Sequence, residues 1–135
     1  MNILKSLLAD HKMIINLLKT MDVDNPRLSS IRKTLGRVLT SHAGFEDKIL
    51  SSCDHASLQL HEAIPREISN EHKDIETLMQ LILHYDLADK KPLQHLISQH
   101  RIILETHFKK EEDIWFPSLA KHTKNADLSR LFYEK

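Results

Sequence analysis

The stretch PLQHLISQHRIILETHFKKEEDIWFP, residues 92–117, decides the fold. One residue in every 3.6 or so returns to the same side, through Leu93, Leu96, His100, Ile103, His107, Glu111 and Ile114. That period describes one face of an α-helix and rules out a strand. The face is mostly apolar, so it packs inward, yet it carries His107 and, one turn further on, Glu111. Pro117 follows the pattern and is expected to end or kink the helix.

Three earlier segments repeat the design. The first runs through Leu4, Leu7, Leu8, His11, Ile14, Ile15, Leu18 and Met21. The second runs through Leu28, Ile31, Leu35, Val38, His42, Phe45, Ile49 and Cys53, with Glu46 one turn beyond His42. The third runs through Ile64, Ile68, His72, Ile75, Met79 and Ile82. Residues 22–26 form a loop, and Pro65 and Pro92 sit where a first helical turn tolerates them. A stub from Asn125 to Tyr133 forms a short last helix carrying Leu128, Leu131 and Phe132. Residues 52–62 read either as the end of the second helix or as a separate turn. Four amphipathic helices with short connections predict an all-α, up-down-up-down antiparallel four-helix bundle, one domain over residues 1–135.

Composition narrows the function by exclusion. The chain has 135 residues, enough for one core without disulfides. Two glycines and four prolines are too few turns for a sheet protein. Lys+Arg and Asp+Glu balance at 19 each, which argues against an electrostatic nucleic-acid binder. No apolar run is long enough for a membrane span, and Met1 to Lys5 lacks the pattern of a secretory signal. The single cysteine, Cys53, excludes an internal disulfide and fits a reducing, cytoplasmic setting. Ten histidines remain to be explained.

Each helix interrupts its apolar face with a histidine, His11, His42, His72 or His107, and two add a glutamate four residues on, Glu46 and Glu111. One buried histidine needs only a hydrogen bond. Six buried polar groups without partners, at roughly 1–3 kcal/mol each, approach the whole stability of a domain. Metal ions supply the missing partner, because they bind neutral imidazole and ionised carboxylate directly. The count favours two metals, with two carboxylates bridging and the imidazoles capping in pairs. Nitrogen and oxygen donors without thiolate suit iron or manganese at least as well as zinc. A hydrogen-bonded core in a helical interaction module without metal is the alternative.

The residues resemble the hemerythrin-like, or HHE cation-binding, family of non-haem diiron bundles. The resemblance rests on Asp10-His11-Lys12-Met13-Ile14, His42-Ala43-Gly44-Phe45-Glu46, Glu71-His72-Lys73-Asp74-Ile75 and His107-Phe108-Lys109-Lys110-Glu111-Glu112, continuing to Pro117. It implies metal ligands at His11, His42, Glu46, His72, His107 and Glu111, holding two iron ions with an oxo or hydroxo bridge. It further implies reaction with a diatomic ligand, O2 or NO, or with peroxide, in sensing, scavenging or iron delivery for iron-sulfur repair. A diiron peroxidase or oxidase is the enzymatic alternative. Oxygen-carrying members place a second histidine where this chain has Glu76, and a later aspartate in place of Glu111. The ligand set is therefore more similar to bacterial repair-of-iron-centres proteins, whose additional N-terminal cysteine-bearing segment has no counterpart here. Partners other than a small ligand, whether nucleic acid or membrane, are not implied; the chain is a monomer or homodimer.

The remaining residues receive simpler readings. Glu76 reads as a solvated or supporting carboxylate, and Glu71 and Glu112 as surface acids. His100 reads as a hydrogen-bonding or channel residue. His55, His61, His84, His95 and His122 read as exposed. Phe45, Phe108 and Trp115 wall the site, and Cys53 is an inert buried thiol. Gly44, costly in a helix, either opens a space beside the ligands or lets helices pack closely.

Overall fold

A computed structural model describes residues 2–52 and 63–133. Its main elements are α1 (Ile3–Thr20), α2 (Leu28–Ser52), α3 (Ala63–His84) and α4 (Lys90–Lys110). A π-helical turn (Glu111–Trp115) then leads into α5 (Phe116–His122) and α6 (Asn125–Tyr133). Ser52 ends α2, and the rest of the ambiguous stretch, with Cys53, His55 and His61, lies outside the described residues.

Local chemistry sets the helix ends. The Asn2 side chain accepts a hydrogen bond from the Lys5 amide at 3.0 Å, capping α1. Asp22 and Asn25 accept bonds from amides two residues on, which turns the chain between α1 and α2. The Ile3 amide donates to Asn125 Oδ1 at 2.8 Å and ties the start of α1 to α6.

Helices α1–α2, α2–α3, α3–α4 and α1–α4 pack pairwise, closing a four-helix bundle, and α6 lies against α1 and α2. Its interior divides into two apolar clusters. One contains Ile14 and Leu18 of α1, Leu35 and Leu39 of α2, Ile75 and Met79 of α3, and Ile97 and Leu104 of α4. The other contains Ile3, Leu7, Ile49 and Ile68 with Trp115, Phe116, Leu119 and Leu128. The clusters come in opposite order along successive helices, as antiparallel neighbours require. Between them every helix carries its histidine. Among the described residues the buried polar or charged ones are His11, His42, Glu46, His72, His100, His107 and Glu111, which are the six candidate ligands and His100.

Two expectations need correction. The buried face of α4 runs through Ile97 and Leu104, whereas Ile103 is 37% exposed and Leu96 only packs at the edge. The apolar run Ile102-Ile103-Leu104 offered three registers, and contact with α3 selected the last. Beyond Lys110 the helical course does not stop at Pro117. The α pattern gives way at the π turn, and Pro117 falls in the first turn of α5, where its missing N–H is not needed. The wider turn rotates Ile114 outward, to 42% exposed, and brings Trp115 and Phe116 inside. Glu111 opens that turn and is buried.

Candidate metal centre

The six predicted residues converge on one point. His42 Nε2 lies 3.1 Å from Glu46 Oε2, and His72 Nε2 lies 3.1 Å from Oε1 of the same carboxylate. Glu111 mirrors this: Oε1 is 3.1 Å from His11 Nε2, while Oε2 is 3.2 Å from His107 Nε2 and 3.4 Å from His72 Nε2. His11 Nε2 and His42 Nε2 are 3.1 Å apart. Each glutamate thus turns one oxygen toward His11–His42 and the other toward His72–His107. Two sets of donors result, His11, His42, Glu46, Glu111 and His72, His107, Glu46, Glu111, each able to offer ligand atoms within 4.8 Å of one another.

These buried atoms are poorly satisfied by one another. Both oxygens of Glu46, Oε1 of Glu111 and Nε2 of His107 lack a partner in hydrogen-bonding geometry. Leaving so many buried acceptors unmet is costly, and a cation among them would meet them all. The donor set fits a metal pair.

Protons take that place when metal is absent. Burial alone would lower the pKa of His11, but the Glu111 and Glu46 carboxylates overcome it and raise it to about 9. For His72 the same opposition, with Asp47 helping, ends at about 11. Burial likewise opposes the charge on His42, and Glu46 and Asp10 raise its pKa. Burial would raise the pKa of Glu46, but His11, His42 and His72 hold it well below the ordinary carboxylate range.

A second ring of carboxylates surrounds the first. His42 Nδ1 donates to Asp10 at 3.0 Å, His72 Nδ1 to Asp47 at 2.7 Å, and His107 Nδ1 to Glu71 at 2.8 Å. Glu112 approaches His11 Nδ1 to 3.3 Å without completing a hydrogen bond. The ring is cyclic: α1 serves α2, α2 serves α3, α3 serves α4, and the π turn serves α1. With the proton held on Nδ1, Nε2 is the atom left to bind a cation. Lys110 pairs with Glu71 and Glu67 and anchors this ring at one point. Burial works against the Glu71 charge, but Lys110 and His107 lower its pKa.

Glu71 is therefore the partner of a buried histidine and not a plain surface acid, whereas Glu112 is exposed as expected and only approaches His11; Asp10 and Asp47 went unassigned. A signal was present: all four are sequence neighbours of a candidate ligand, and one step round a helix from an inward position faces the adjacent helix. Phe108 stacks on His11 at 3.9 Å and Phe116 at 5.5 Å, while Phe45 packs on Phe132 further out. Trp115 lies in the apolar cluster beside Phe116. His84, His95 and His122 are exposed, as expected. Glu76 is half-buried and accepts a hydrogen bond from Gln80 at 3.0 Å. His100 is fully buried, and its polar contact is with the Ile75 backbone, short of good hydrogen-bonding geometry. Burial lowers its pKa to about 4, against a weak opposing contact with the Ile75 backbone.

The family model for the hemerythrin HHE cation-binding domain matches residues 63–132. The chain belongs to this family. No curated protein and no solved structure matches it. The matched segment holds His72, His107 and Glu111; the fold brings His11, His42 and Glu46 to the same point from α1 and α2. The chain is thus a hemerythrin HHE protein whose buried His/Glu clusters are able to hold metal. No helix among the described residues is long and apolar enough to cross a membrane.

Proposed function

We propose that this hemerythrin HHE protein holds two iron ions and reacts with O2, NO or peroxide. His11 and His42 serve one ion, His72 and His107 the other, and Glu46 and Glu111 serve both. The observation that supports this reading most is the division of each glutamate's oxygens between the two histidine pairs. When bound, iron supplies a redox-active centre with room for a small ligand. The chain supplies everything else. Asp10, Asp47 and Glu71 hold the proton on Nδ1 and aim Nε2 inward. Phe108 and Phe116 stack against the His11 ring, and the two apolar clusters bound the layer above and below. Uptake of metal displaces the protons that His11, His42 and His72 otherwise retain.

The biological use in this reading is sensing, scavenging or delivery of iron for cluster repair in the cytoplasm, by a monomer or homodimer. Metal analysis with an optical spectrum of aerobically purified protein tests it. Two irons per chain and a visible charge-transfer band, both lost in His42→Ala and Glu111→Ala, are expected; purification without stoichiometric metal contradicts it. An enzymatic reading, a diiron peroxidase or oxidase, draws on the half-buried Glu76 carboxylate beside the site, a group able to move a proton. It requires many turnovers of peroxide per iron-loaded chain, and consumption limited to one equivalent contradicts it.

A further inference from the structure

A groove of about 480 Å3 lies between α2 and α3, with α4 as its floor, and it reaches His42, Glu46, His72 and His107. Gly44 stands in its wall, between His42 and Glu46 in sequence. Glycine in the middle of a helix is unfavourable relative to alanine, so its presence asks for a reason. At Gly36 the reason is contact: a Cβ there would lie 3.1 Å from Leu83 Cδ1. At Gly44 a Cβ would meet nothing within 4 Å. Close helix packing therefore does not account for Gly44, which is exposed and stands at the solvent mouth of the groove. A second groove, of about 640 Å3 between α1 and α4, touches only His11 among the six candidate ligands and is backed by Phe108.

We infer that the α2–α3 groove is the route by which small uncharged ligands reach the cluster, and that the bare backbone at Gly44 keeps its mouth open. The inference rests on the reading that the cluster binds such a ligand. Its walls suit that class: Leu39, Ala43, Ile75 and Leu104 line the interior, and Thr40 with Glu76 forms a polar lip, their side chains 3.5 Å apart. A longer side chain at position 44 would lean across this mouth, on the side of α2 away from the His42 and Glu46 donor atoms.

Two measurements on Gly44→Leu and Gly44→Ala test the inference. In iron-loaded protein, NO association is expected to slow about tenfold or more in Gly44→Leu and to stay within about twofold in Gly44→Ala, with iron content unchanged in both. In metal-free protein, dissolved O2 under pressure is expected to broaden the methyl NMR signals of Ala43 and Ile75 more than those of Leu35 and Ile49. Gly44→Leu should abolish that difference. Should Gly44→Leu fail to fold, Gly44→Val carries the same expectation. Unchanged NO and O2 access in the folded variant overturns the inference, as does O2 contact strongest at Ile15 in the other groove. If the chain takes up no iron, the diiron reading fails while the O2 measurement still decides the route.

Discussion

His11 and His42 form one half of the polar layer, His72 and His107 the other, and Glu46 and Glu111 belong to both. The halves use the same donors but are supported differently. On the His72–His107 side both Nδ1 atoms are clamped by carboxylates, at 2.7 and 2.8 Å, and both residues line the α2–α3 groove, as His42 does from the other side. On the other side His42 is clamped by Asp10, whereas His11 relies on stacking against Phe108 and only approaches Glu112. Stacking leaves the His11 ring free of a carboxylate anchor, whereas the clamps fix the proton on Nδ1 of the other three rings, so the halves differ in how firmly their rings are held.

The shared carboxylates give the largest expected effect. Glu46→Ala should abolish binding of both ions, because it removes an oxygen from each half at once. His11→Ala should remove one ion and leave the other, so that elemental analysis distinguishes the two variants. Equal, complete loss in His11→Ala would erase the distinction between the halves.

Acidity sharpens it next. A histidine whose folded pKa is raised adds stability below its unfolded value of 6.5, and that stability is lost as pH rises through the folded value. For His11, raised to about 9, the loss is on the order of 3 kcal/mol and is complete above pH 9. For His72, raised to about 11, the loss continues toward pH 11. Metal-free protein should therefore weaken in urea titrations from neutral pH upward, and metal affinity should rise over the same range as protons leave. His11 should give up its proton at lower pH than His72. His100 has the opposite sign: its folded pKa of about 4 leaves stability intact above 6.5 and erodes it as pH falls toward 4. His100→Leu should flatten that acid limb.

Smaller effects belong to the clamps. Asp47→Asn and Glu71→Gln should weaken metal binding by about 10–100-fold, chiefly on the His72–His107 side. Glu112→Gln should matter less, since His11 donates no hydrogen bond to it. Last comes Gly44→Ala, expected to stabilise the metal-free fold by about 1 kcal/mol, whereas Gly36→Ala should gain less because Leu83 must give way.

Much of this was legible in the sequence because helical period and polarity speak to the same faces. A histidine recurring at the centre of four apolar faces, with glutamates one turn on in two, located the bundle and its six inward donors. What escaped depended on neighbours. Ile103 and Leu104 are equivalent until α3 packs against one of them. The π turn at Glu111–Trp115 has no marker in residue type, and Pro117 pointed to a break several residues too late. Asp10, Asp47 and Glu71 look like surface acids because each is matched to a histidine on a different element.

Anomalous scattering at the iron edge, from crystals of the iron-loaded chain, tests the central claim most directly. Two peaks are predicted, one among His11, His42, Glu46 and Glu111, the other among His72, His107 and the same two glutamates. A single peak, or scattering away from Glu46 and Glu111, would contradict it.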